Sequence, residues 1–171
     1  MESILITGAS GFIGSFIVEE ALKRKFGVWG GIRPTSSKKY LKNRKIHFLE
    51  LDFAHPNELR AQLSGHKGTY NKFDYIIHCA GVTKCPDKNT FDYVNYLQTK
   101  YFIDTLKALN MVPKQFIYIS TLNSDKYKIM KQRNWQCDIT PAINELGYAP
   151  EYDLEKGVRE TIDWYKNEGW L

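Results

Sequence analysis

Three glycines in Thr7-Gly8-Ala9-Ser10-Gly11-Phe12-Ile13-Gly14 have the spacing that most directly implies chemistry in this chain. The pattern T-G-x-x-G-x-x-G falls between a short apolar run, Ile4 to Thr7, and residues at helical spacing, Ile13, Ile17, Val18, Ala21 and Leu22. In a strand–loop–helix unit, glycines so placed allow a sharp turn at Gly8 and bare backbone against a pyrophosphate at Gly11. The third, Gly14, lets the helix pack closely on the sheet. The N–H groups at the helix start then face the phosphate charge. The loop therefore predicts a dinucleotide site; the alternative is a glycine-rich turn that serves packing only.

A second signal ends the next apolar run. Gly30-Gly31-Ile32-Arg33 has no Asp or Glu nearby, whereas an NAD-specific site places an acid there to hold the ribose 2′-hydroxyl. Lys38 and Lys39 follow, and the stretch from Arg33 to Lys45 carries six cations. A guanidinium suits the doubly charged 2′-phosphate of NADP. The expected cofactor is NADP(H), with NAD(H) second; the alternative is a solvated basic loop. Nucleic acid is not expected, because the cations form one loop without interleaved aromatics.

These residues need a frame. Apolar runs predict strands at 4–7, 28–32, 46–49, 75–78 and 116–119. Helical spacing predicts helices after 13, over 57–63 and over 91–109. The first helix is expected to close on Lys23-Arg24-Lys25 with Gly27 as its glycine cap. Such alternation implies an α/β fold, a Rossmann-like doubly wound parallel sheet of about five strands in the order 3-2-1-4-5. After Ser120 the alternation stops, and 121–138 is polar, basic and aperiodic. A short helix over 141–146 and a longer one over 153–166 follow. The longer one has Leu154, Val158, Ile162 and Tyr165 on one face, Asp153 as N-cap and Gly169 beyond its end. The expected organisation is a nucleotide-binding core over 1–120, an irregular junction over 121–137 and a short helical C-terminal segment over 138–171.

Composition narrows the class. The 171 residues are 43% hydrophobic and 25% charged, which excludes a disordered tail or fibre. The net charge of +5 is met equally well by a phosphorylated small molecule and by nucleic acid. The sequence has no apolar run long enough to span a membrane and does not open on a signal-peptide pattern. Cys79, Cys85 and Cys137 form no C-x-x-C pair. That pattern points to reduced thiols in the cytoplasm and to no metal site.

The T-G-A-S-G-F-I-G loop resembles that of the extended short-chain dehydrogenases/reductases, the NAD(P)-dependent epimerases, dehydratases and dihydroflavonol-reductase-like enzymes. Further segments are similar: Asp52, with Phe53 beside it; His78-Cys79-Ala80-Gly81; Val94-Asn95; Tyr118-Ile119-Ser120-Thr121; and Leu146-Gly147-Tyr148-x-Pro150. The resemblance implies that Asp52 contacts the adenine and that the 78–81 loop lines the cofactor. It also implies that Asn95 opens a helix at the site and that Ser120 or Thr121 supplies the catalytic hydroxyl. Gly8, Ser10, Gly11, Phe12, Ile13, Gly14, Arg33 and Lys38 complete the implied cofactor set. Plain alternatives stand beside these roles. Asp52 could cap the next turn, Asn95 could serve the helix start, and His78 could be a satisfied core histidine whose side chain matters less than the loop backbone.

The family's chemistry also needs a Tyr-x-x-x-Lys pair well beyond the catalytic Ser/Thr. Tyr127-Lys128-Ile129-Met130-Lys131 fits the letters, but it comes only six residues after Thr121. The sequence reads as if an internal segment near Ser120–Thr121 were missing. Two functions follow. One is an NADP(H)-dependent oxidoreductase or epimerase, complete only with that segment, acting on a small carbonyl, alcohol or nucleotide-sugar substrate. The other is a non-catalytic dinucleotide-binding module. A homodimer through the 91–109 helix is the expected protein partner.

Overall fold

The computed structural model describes residues 1–83, 85, 87–119, 144 and 154–167. The chain forms two compact units, Met1–Leu122 and Asn123–Leu171. Five parallel strands make the sheet of the first unit, β1 (Ser3–Thr7), β2 (Gly27–Ile32), β3 (His47–Glu50), β4 (Tyr75–His78) and β5 (Gln115–Tyr118). Their order is β3-β2-β1-β4-β5, the expected doubly wound half.

Strand alternation builds a core on each face. Ile4, Ile6, Val28 and Ile32 pack with Val18 and Ala21 of α1 (Phe12–Lys23). On the other face, Leu5 and Ile76 meet Leu59 and Leu63 of α2 (Pro56–Tyr70), and Phe102 and Leu106 of α4 (Gln98–Ala108). Polar groups fasten the strand starts. Asp74 accepts the Ser3 N–H at 2.8 Å, and Lys114 reaches Glu2 at 2.8 Å and Asp74 at 3.0 Å. The Ser3 N–H, helped by Lys114, holds the Asp74 carboxyl down at about 2.

Three expectations shift. The first helix does not use Gly27 as its cap. Lys25 takes the left-handed turn at φ 63°, and the Lys25 and Phe26 N–H groups bond back to Leu22 and Ala21, a Schellman closure. Gly27 instead opens β2. The second helix runs on to Tyr70, past Gly65 and Gly68, because Leu59, Leu63 and His66 lie on one buried face. A methyl at Gly65 or Gly68 would meet nothing within 4 Å. Gly68→Ala is therefore expected to stabilise the fold by about 0.5–1 kcal/mol, read as a rise in urea midpoint at unchanged slope.

The expected 91–109 helix is composite. It begins earlier, as α3 (Lys88–Asp92), because Asp87 caps it: its carboxylate accepts the Thr90 N–H at 2.9 Å and the Thr90 hydroxyl at 2.7 Å. A single π turn, Tyr93–Leu97, then leads into α4. Just beyond that helix, Asn110 is left-handed at φ 53°, and its neighbour Met111 bonds back to Leu106 and is fully buried.

In the second unit, α5 (Leu154–Asn167) has the expected helical span, with Val158 and Ile162 one turn apart and both exposed. Of the 141–146 helix, Asn144 is described and is helical. Asp153, Gly169 and the 121–137 junction lie outside the described residues.

Candidate dinucleotide-binding site

The three loop glycines are required for different reasons. Gly8 sits at φ 65°, and a Cβ there would lie 2.9 Å from the Ala80 nitrogen. A Cβ at Gly14 would collide with the Gly8 carbonyl oxygen. The fold itself thus demands both. Gly11 is different. Its backbone is extended at φ −79°, and a Cβ would meet only the Gly8 oxygen, at 3.2 Å. Gly11 is exposed and caps α1 without any side chain, so no side-chain cap bond covers the first N–H groups of the helix. That cradle fits a pyrophosphate, which the helix dipole attracts.

The remaining loop residues frame this space. Ser10 is half-buried, and Phe12 and Ile13 are exposed although apolar. The Ala9 N–H bonds to the Gly31 carbonyl at 3.4 Å, which brings the loop to the end of β2. Arg33 follows that end and is exposed, and its N–H bonds to the Ser36 hydroxyl at 3.0 Å. Lys38 lies with its ammonium 4.5 Å from the centre of the Phe48 ring, a cation–π contact that keeps it at the β3 side.

Asp52 follows β3 and makes a local turn. Its carboxylate accepts the Ala54 N–H at 3.0 Å and pairs with His55 Nδ1 at 2.8 Å. The His55 bond lowers the Asp52 carboxyl below the usual range, and Asp52 raises the His55 imidazole in return. Phe53 turns inward, edge-on to His78 and Phe102 at 5.4 and 5.2 Å.

The loop after β4 is held from two sides. Asn95 does not open a helix; it lies in the π turn, after α3, and grips the Val82 backbone. Its Oδ1 accepts the Val82 N–H at 2.8 Å, and its amide donates to the Val82 carbonyl at 2.9 Å. A Cβ on Gly81 would stand 2.7 Å from that Oδ1, so Gly81 is required by this grip. His78 is buried and bonded at both ring nitrogens, to Thr7 at 2.7 Å and Thr99 at 3.1 Å. Burial pushes it down to about 4. Cys79 is half-buried, and burial pushes its thiol up to about 11, so it is no nucleophile near neutral pH.

Sequence reasoning did not single out Thr99, Val82 or the Thr7 hydroxyl. Their roles depend on β1–β4 register and on where α4 crosses the sheet. Ser120, Thr121, Tyr127 and Lys131 lie outside the described residues. No group of three metal-ligating side chains occurs among the described residues, and none of their helices is long and apolar enough to cross a membrane.

A parallel sheet in this order, with a glycine cradle where β1 meets α1, defines a Rossmann-like nucleotide-binding domain. The model of the NAD dependent epimerase/dehydratase family matches residues 4–141, and the chain belongs to that family. Vestitone reductase of Medicago sativa is 24% identical over 185 aligned residues, covering 94% of this chain and 55% of that protein. The chain thus spans about half the length of this relative. Among solved structures, ElxO with NADPH bound superposes with a TM-score of 0.62 at 23% identity, over 75% of this chain and 60% of that one. The enzyme WbmH of Bordetella bronchiseptica, in complex with NAD+, gives a TM-score of 0.51 at 26% identity, over 65% of this chain and 36% of that one.

Proposed function

We propose that the chain binds NADP(H) across the glycine loop and the end of β2. It would do so as the nucleotide-binding half of an oxidoreductase or epimerase for a small carbonyl, alcohol or nucleotide-sugar substrate. The observation that carries this reading is the bare space over Gly11, which the fold does not need but a pyrophosphate does. When bound, the nicotinamide supplies the hydride donor or acceptor. The chain's own residues bind and orient: α1 meets the pyrophosphate, Arg33 the 2′-phosphate, and Asp52 the adenine edge. Calorimetric titration with NADPH tests the reading, and no detectable binding by the unmodified chain would sink it.

NADPH is expected to bind about ten- to a hundredfold more tightly than NADH, the worth of one charge-assisted bidentate contact. Arg33→Ala should erase most of that gap and flatten its dependence on salt. Equal affinities in the unmodified chain would contradict the assignment of Arg33.

By itself the 171-residue chain is not expected to turn over. Tyr127 follows Thr121 too closely to sit under the nicotinamide. The alignment with vestitone reductase spans 185 residues, more than this chain contains, so that relative carries residues with no counterpart here. Assay of NADPH oxidation against aldehydes, ketones and nucleotide sugars should stay at background. Turnover that disappears in Tyr127→Phe would make Tyr127 the acid/base after all. The same reading places the protein in the cytoplasm and includes a homodimer through the 91–109 helix. It draws support from the free thiols of Cys79 and Cys85 and from the exposed Tyr96.

A further inference from the structure

We propose that His78 is a positioning residue for the nucleotide loop. With its hydrogen on Nε2, it is the middle of a one-way hydrogen-bond relay that runs from the Ala80 N–H, beneath Gly8, to the Asn95 carbonyl of the π turn. The sequence places the parts. Parallel register sets Thr7 opposite His78, and Thr99 stands one helical turn beyond Asn95.

The direction follows from counting hydrogens. The Thr99 hydroxyl donates to the Asn95 carbonyl at 2.8 Å, so toward His78 it can only accept. Nε2, 3.1 Å away, must therefore carry the hydrogen. A neutral ring then presents a bare Nδ1, and the Thr7 hydroxyl donates to it at 2.7 Å. The Thr7 oxygen keeps a lone pair for the Ala80 N–H, at 3.2 Å. Every polar atom of the relay is satisfied in this arrangement, and reversing the tautomer either leaves Nε2 and the Thr99 oxygen facing each other without a hydrogen between them or takes the Thr99 hydrogen away from the Asn95 carbonyl. The rings of Phe53, Phe102 and Phe116 surround the imidazole and keep a charge off it.

The end of the relay matters for binding. The Ala80 nitrogen is the atom that a Cβ on Gly8 would strike, so the Thr7–Ala80 bond fixes how closely the two cofactor loops approach. The Asn95 carbonyl at the other end also accepts from the Tyr118 hydroxyl at 3.2 Å. The relay thereby ties β1, β4, the π turn and the end of β5 to one geometry. Its consequence for affinity rests on the dinucleotide reading above; the tautomer and the loop spacing do not.

The test has two arms. Imidazole ¹⁵N NMR of the unmodified protein at neutral pH should show His78 protonated at Nε2 and bare at Nδ1; the opposite tautomer or a charged ring overturns the proposal. In the second arm, Thr7→Val should weaken NADPH about tenfold and speed exchange of the Ala80 amide, whereas Thr7→Ser should stay within about twofold of the unmodified protein in both. A packing role for this buried residue predicts the reverse, since valine keeps the volume and serine does not, and that result would also overturn it. If the unmodified chain binds no NADPH, the dinucleotide reading fails by itself, and the tautomer with Ala80 exchange in the two variants still decides the relay.

Discussion

Gly11→Val is expected to abolish dinucleotide binding, weakening NADPH by about a hundredfold or more, while leaving the fold nearly intact. The added Cβ meets only the Gly8 carbonyl oxygen, at 3.2 Å, and a shift of a few tenths of an ångström relieves that contact. The backbone at φ −79° and ψ 169° is one that valine adopts without strain. The branched methyls then stand before the open N–H groups of α1, where a phosphate oxygen would need to lie. Gly14→Ala provides the contrast. Its methyl runs into the Gly8 carbonyl, so it should lower stability as well as binding. Calorimetry with NADPH alongside urea unfolding separates the two. A Gly11→Val protein that binds as tightly as the parent would move the site elsewhere.

Acid should destabilise this protein before most of its carboxylates are protonated. His66 and His78 are both buried, and burial pushes each down to about 4. In the unfolded chain they return to about 6.5. Between those values the unfolded state binds more protons than the folded one, so stability falls as pH falls. The stabilising contribution is complete above about pH 6.5 and lost on the way to 4, at about 3 kcal/mol for His78 and less for His66. His55 acts in the opposite sense, because Asp52 raises it, but it is exposed and its effect is small. Denaturant unfolding at a series of pH values checks the slope. Stability that stays flat from pH 7 to 5 would contradict the burial of both rings. His66 adds a sharper test, because its Nδ1 is buried without a hydrogen-bond partner against the Phe73 and Trp29 rings. His66→Phe should preserve or raise stability at neutral pH and remove the smaller part of the acid sensitivity.

The sheet order and the glycine loop between β1 and α1 were legible in the sequence because both rest on local patterns. Apolar runs alternate with helical spacing, and the glycine triplet falls where strand meets helix. What the sequence hid depends on tertiary partners. The last half of α2 looks like a loop, with Gly65 and Gly68 in it, until the burial of Leu63 and His66 against the sheet outweighs the glycine cost. The left-handed turn at Lys25 carries no glycine signal, yet backbone bonds to Ala21 and Leu22 hold it. Asp52 caps a turn, one of the two roles that its place after the third strand left open. His78 was visible as a strand-end residue, but its two threonine partners lie 71 and 21 residues away along the chain, and only register brings them together.

The ring cluster at the far end of β2 gives the nucleotide-binding unit an optical signature of its own. Trp29 is the one tryptophan of Met1–Leu122; Trp135, Trp164 and Trp170 all belong to the second unit. Its indole stacks on His47 at 4.7 Å and meets His66 edge-on at 4.5 Å. A protonated imidazole quenches indole emission, so the buried His66 dims the signal only as its burial is lost. Replacing the other three tryptophans by phenylalanine leaves a single fluorophore whose brightness reports protonation of His66 and whose colour reports exposure of the indole. Both can then be followed within one titration, in the unit of the chain that carries the glycine loop.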